Sequence, residues 1–130
     1  KNYDLDSFPI KVFSSSYLGY FEKMTNFILY SKQIEQISKI EKLIPTFFEQ
    51  IIDGMVYELY FPELLKQHNR NIIEHLGELP AFTDSMNDNQ KLEIINTVFN
   101  RLNEKNHPVR VNLFYMNSIP EIKIIEGVKE

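Results

Sequence analysis

The chain has 130 residues and a formal net charge of −4, with 43% hydrophobic and 25% charged residues. Those fractions suit one globular domain and exclude disordered or collagen-like chains, and no stretch reaches the roughly 18 apolar residues of a membrane span. The absence of cysteine excludes a disulfide scaffold, thiolate metal sites and cysteine catalysis, and fits a cytoplasmic protein.

At this length a chain buries about 68% of its unfolded surface, enough for a real core. Cutting after Phe61 leaves both halves mildly acidic. Neither half is therefore a hidden basic module of the kind that neutralises phosphates. The densest basic cluster is Arg101, Lys105, His107 and Arg110, diluted by Glu104. It reads as a solvated helix end, with Arg101, Lys105 and Arg110 as the candidate phosphate contacts. The first residues lack a basic-then-apolar leader pattern. A start at Lys1 rather than methionine suggests an excised fragment or a processed chain.

Taken in order, residues 1–13 read as an extended linker or edge segment. Phe8, Ile10 and Val12 alternate around Pro9, which cannot donate in a ladder. Ser14, Ser15 and Ser16 offer caps for a helix carrying Tyr17, Leu18, Phe21, Met24, Phe27 and Ile28, ending near Ser31. Ile34, Ile37, Ile40 and Ile44 continue at three- and four-residue steps, predicting a second or continued helix that closes at Pro45.

Thr46-Phe47-Phe48-Glu49 has the form of a capping box opening the central helix. Its core face is Phe48, Ile51, Ile52, Met55, Val56 and Leu59, with Glu49, Asp53 and Tyr57 on the opposite arc. Gly54 costs up to about 1 kcal/mol against alanine, which a closely approaching helix would explain. Pro62 fits the first position of a helix over 62–68. A turn through Ile72, Ile73 and Leu76 ends at Gly77, and a loop runs over 79–87.

Asn87 or Asp88 caps the next helix, whose apolar face is Leu92, Ile95, Val98, Phe99 and Leu102. The period over 109–116 is ambiguous. Val109, Val111, Leu113 and Tyr115 alternate as in a strand, whereas Pro108 in a first turn favours a helix, the preferred reading. Residues 119–126 look extended. The expected fold is mostly α, a single compact helical domain spanning 1–130 with short extended segments near both ends.

Candidate chemistry is sparse. Three scattered histidines do not make a metal site, and four separated glycines do not make a phosphate-cradling loop. Glu121-Ile122-Lys123 is half of a Mg²⁺ nuclease pattern, with Asp84 or Asp88 as the upstream partner. Thirteen glutamates and eleven lysines yield about one such triplet by chance, and no sheet supports it. Asn87, Asn89 and Gln90 are amides of the base-reading type, though capping explains them equally well. Ten Phe and seven Tyr are mostly core at helical spacing. Tyr57, Tyr60 and Phe61, near Asp53, lie towards the polar arc and read as a docking surface for another protein element.

The stretch Ile52-Asp53-Gly54-Met55-Val56-Tyr57-Glu58-Leu59-Tyr60-Phe61-Pro62-Glu63 resembles the C-terminal region of type IIG restriction–modification proteins. There, a TaqI-like specificity domain accompanies an adenine-N6 DNA methyltransferase. Tyr20-Phe21-Glu22-Lys23-Met24 through Ile28-Leu29-Tyr30 is similar to the preceding helix of that family, and residues 119–126 to its closing segment. The family's Asn-Pro-Pro-Tyr motif and Gly-rich S-adenosylmethionine loop are not in this sequence, so no catalytic or cofactor residue carries over. The resemblance implies a non-catalytic appendage bracing the target-recognition part on duplex DNA. S-adenosylmethionine, and Mg²⁺ where the parent also cuts, would be bound by the parent's other domains. The alternative is a helical interaction module of an unrelated bacterial protein.

Overall fold

The computed structural model describes residues 15–35 and 43–129, and the predicted extended segment at 1–13 lies outside them. Six α-helices follow in order among the described residues: α1 (Ser15–Glu35), α2 (Leu43–Tyr60), α3 (Pro62–Gln67), α4 (Asp88–Leu102), α5 (Pro108–Met116) and α6 (Pro120–Lys129). A single 3₁₀ turn spans Ile73–His75. The mostly α expectation holds, and no strand occurs among the described residues.

The helix α2 is central, packing against α1, α3, α4 and α5. Phe48, Ile51 and Met55 are fully buried along it, meeting Met24 and Phe27 of α1 within the same core as Ile95 and Leu102 of α4. Aromatic rings stitch the layers together. Phe27 lies 5.8 Å from Phe48, and Phe47 meets Phe99 edge-on at 5.6 Å. On the surface, Lys32 of α1 pairs with Glu49 of α2 at 2.6 Å, an exposed contact worth under about 1 kcal/mol.

Four local readings need correction. Ser31 does not end α1: the helix runs on to Glu35, and the buried Ser31 hydroxyl is satisfied within it by donating to the Phe27 carbonyl at 2.5 Å. Pro45 does not close a helix. It is the third residue of α2, where a missing N–H removes only a donor that would be orphaned anyway. Thr46 therefore sits inside α2, and the apparent capping box is not a cap.

The segment read as extended at 119–126 is helical. Pro120 sets the first helical φ, the Ile119 carbonyl accepts from Lys123 N at 2.9 Å, and Ile119 and Ile122 bury one face at a three-residue step.

Proline is in fact the chain's usual helix starter. Pro62 and Pro108 open α3 and α5 in the same way. The cap of α4 is the one the sequence suggested. Asn87 Oδ1 accepts from Gln90 N and Gln90 Oε1 accepts from Asn87 N, both at 2.9 Å. The same α4 end is tied to α1 by Tyr30, whose hydroxyl donates to Asp88 Oδ1 at 2.7 Å. Burial first, then that bond and the Asp88 charge, push the Tyr30 phenol up to about 12.

Gly54 explains itself. A Cβ placed there would lie 2.6 Å from Leu113 Cδ2 of α5 and 2.9 Å from Ile72 Cδ1 beside the 3₁₀ turn. Ile72 is fully buried and has little room to retreat. Gly54→Ala should therefore lower stability by about 1 kcal/mol. Overpacking of about 1–3 kcal/mol outweighs a helix-propensity gain of up to about 1. Urea unfolding followed by circular dichroism measures the difference, and a more stable variant would refute the close-packing account. By the same method Asn87→Ala should cost about 1 kcal/mol, the usual value of a lost N-cap.

Candidate protein-docking groove

Beside the core face of α2, positions 43, 47, 50, 54 and 57 form a stripe within an arc of about 80° at 100° per residue, in which buried Phe47 and Tyr57 belong to the core as well. Facing that stripe is α5, and between them runs a groove of about 420 Å³. Leu43, Phe47, Gln50, Asp53, Gly54 and Tyr57 line the α2 side; Arg110, Leu113, Phe114 and Met116 line the α5 side, and Asn103 and Asn117 complete the lining.

Three polar devices fix the walls. Glu58 of α2 accepts from the backbone amides of Ile72 and Ile73, the latter at 3.0 Å, so the carboxylate caps the 3₁₀ turn from across the fold. Buried Asn112 of α5 donates through Nδ2 to the Asn71 carbonyl at 2.8 Å and accepts from Arg70 Nη1 at 3.2 Å. The Arg70 guanidinium also lies 4.7 Å from the ring centre of Tyr115. Lastly, His107 caps α5: its Nδ1 accepts from Val109 N at 3.1 Å.

The residues singled out in the sequence divide accordingly. Asp53 is exposed and lines the groove. Tyr57 also lines it but is only 6% exposed, which corrects its reading as an outward-facing aromatic. Tyr60 and Phe61 are partly exposed at the joint between α2 and α3 and do not line the groove.

Of the candidate phosphate contacts, Arg101 donates through both terminal nitrogens to backbone carbonyls, Nη1 to Leu76 at 2.7 Å and Nη2 to Glu78 at 2.9 Å. Those bonds hold the chain just where Gly77 takes φ +68°, a conformation that favours glycine. Arg110 Nη1 donates to the Asn103 carbonyl at 2.8 Å, and Lys105 is exposed on the intervening turn.

The nuclease pattern loses its strand context, because Glu121 and Lys123 are exposed on helix α6. Among the described residues, no cluster of three or more His, Asp or Glu side chains is arranged to hold a metal ion. Asn87 and Gln90 are occupied by their mutual cap.

Sequence reasoning missed Leu43 and Phe114 at the groove mouth, 55% and 75% exposed, and missed Glu58, Arg70 and Asn112 as its braces. Phe114 had a usable signal. On a helix, Val109, Asn112, Leu113 and Met116 fall within about 100° of arc, which turns Phe114 outwards.

No protein-family model matches the sequence, and neither curated proteins nor solved structures give a match.

The His107 cap requires a neutral imidazole. Burial, then the nearby Arg101 and His75, lower its pKa, with Glu104 opposing. The unfolded ring, near its ordinary value of about 6.5, then takes up a proton first as pH falls. Its contribution to stability is complete above that value and declines as pH drops through it towards the lower folded value. Urea midpoints measured from pH 7.5 to 5 should fall more steeply for the native chain than for His107→Asn, which keeps a capping oxygen without the titration. Parallel curves would exclude this role.

Proposed function

We propose that this chain is a non-catalytic helical domain of a bacterial restriction–modification DNA methyltransferase, bracing the parent's target-recognition part on duplex DNA. The observation that carries the docking role is the α2/α5 groove. It is rimmed by exposed Leu43 and Phe114, and its walls are held by Glu58, Asn112 and His107. A preformed groove with a few large apolar side chains at its mouth is the usual form of a protein contact.

The division of basic residues supports an indirect relation to DNA, since Arg101 and Arg110 both donate to backbone carbonyls of their own chain. The resemblance around residues 52–63 supplies the parent class: in this fold that stretch forms the second half of α2 and the start of α3. In this reading S-adenosylmethionine, and Mg²⁺ for a cutting parent, are bound by neighbouring domains, and the assembly works in the cytoplasm. Among the described residues no helix is long and apolar enough to cross a membrane.

The reading expects an Asn-Pro-Pro-Tyr methyltransferase region in the same gene product. It also expects the separated chain to form a complex with that region on size-exclusion chromatography. DNA retention by the complex should change less than about twofold in Arg101→Ala, Lys105→Ala or Arg110→Ala. Methyl transfer by the chain alone, or a tenfold loss of DNA retention in any of the three variants, would overturn it. A gene product without a methyltransferase region would favour the alternative, a helical interaction module of another bacterial protein. The same groove supports that alternative.

A further inference from the structure

We infer that the corner between α4 and α5 is a proton-operated latch: protonation of His107 reversibly releases residues 103–108 while the core on either side stays packed. The inference goes beyond the loss of overall stability described above, and it does not depend on the restriction–modification reading.

The corner is built to move alone. Leu102, the last residue of α4, and Val109, the second of α5, are both fully buried. Between them, residues 103–108 contribute no buried side chain. What holds them is polar. His107 N donates to the Glu104 carbonyl at 2.9 Å, Arg110 Nη1 to the Asn103 carbonyl at 2.8 Å, and Val109 N to His107 Nδ1 at 3.1 Å. Further along α5, Asn112 and Met116 are buried and Asn112 is bonded to the Asn71 carbonyl, so the helix stays seated when its first turn loosens. Segments with few buried contacts open at lower cost than the core around them.

Protonation strikes the one bond of the three that needs a lone pair on a titratable ring. Nδ1 accepts only in the neutral imidazole; in the cation it carries its own hydrogen, which opposes the Val109 N–H. The new charge also lies at the N-terminus of α5, where the helix dipole disfavours a cation. Arg101 from α4 and His75 from the 3₁₀ turn add their repulsion, with Glu104 on the corner opposing. Arg101 cannot swing aside without giving up the Leu76 and Glu78 carbonyls, and the Glu74 carboxylate lies 3.6 Å from His75 Nε2. Exposed Lys105 is the corner's remaining charge.

Once the corner opens, the ring leaves these neighbours and takes a proton near its ordinary value of about 6.5. The closed form, whose ring binds the proton less well, therefore loses ground as the pH falls through that value. Asn103 and Arg110 also line the groove, so the latch alters the groove's lining.

The test is nuclear magnetic resonance on the full chain. At pH 7.5 the His107 ring nitrogens should show Nδ1 without a proton. Between pH 7.5 and 5, amide exchange corrected for its intrinsic pH dependence should lose at least about threefold in protection at Val109, recovered on return to pH 7.5. Protection at Met55 and Ile95, in the core, should stay constant within about twofold. In His107→Asn the Val109 amide should keep the same protection at both pH values. A proton on Nδ1 at pH 7.5, a Val109 amide indifferent to pH, an equal loss in His107→Asn, or a loss shared by Met55 and Ile95 would each overturn the inference. Should His107→Asn not fold, the ring tautomer and the comparison of Val109 with the core amides decide in the native chain.

Discussion

The missing side chain at position 54 is the constraint on which the rest of the arrangement depends. With only hydrogen at Gly54, the terminal methyl groups of Leu113 and Ile72 approach so closely that a Cβ would force them to shift. That contact brings α5 and the 3₁₀ turn against the middle of α2, and the groove is what remains between the helices beyond it. Glu58, one turn further along α2, then fastens the same turn by its backbone amides. The packing and the polar clamp act on one junction, where residues 72 and 73 meet the second half of α2.

Much of the helical layout was legible because it depends on local rules. The core faces of α1, α2 and α4 follow from apolar spacing, and Asn87 with Gln90, Pro62 and Pro108 mark three helix starts by their own chemistry. The errors have a common source. The spacing predicts a helix closing at Pro45 and an extended segment over 119–126, although Pro45 and Pro120 both sit in first turns where proline is at home. Thr46-Phe47-Phe48-Glu49 matched a capping box by spacing alone, which does not say where the helix begins. Ser31 satisfied its hydroxyl inside the helix it was expected to end.

The groove was less legible because it is made by contacts distant in sequence. Asp53 and Arg110 were both noticed, but for separate reasons, and nothing local announces that α2 and α5 face each other. Gly54 was the nearest hint, and it pointed to a neighbour without naming it. Tyr57 lies at the border of two arcs of α2, so its burial waited on which neighbour covered that border. Glu58, Arg70 and Asn112 looked like ordinary surface residues, and become braces only when residues 70–73 return to α2 and α5.

The Arg70–Asn112–Asn71 contact also decides how the domain can be dissected. The amide of α5 is satisfied by a carbonyl and a guanidinium from the segment between α3 and the 3₁₀ turn, while that segment is held in turn by α2. Transplanting the two groove-forming helices alone onto another scaffold would strand the buried Asn112 amide, at a cost of roughly 1–3 kcal/mol, and leave the Glu58 carboxylate without its amide partners. The groove-forming helices are therefore portable only together with residues 70–73, and with α1, whose Met24 and Phe27 complete the core against α2.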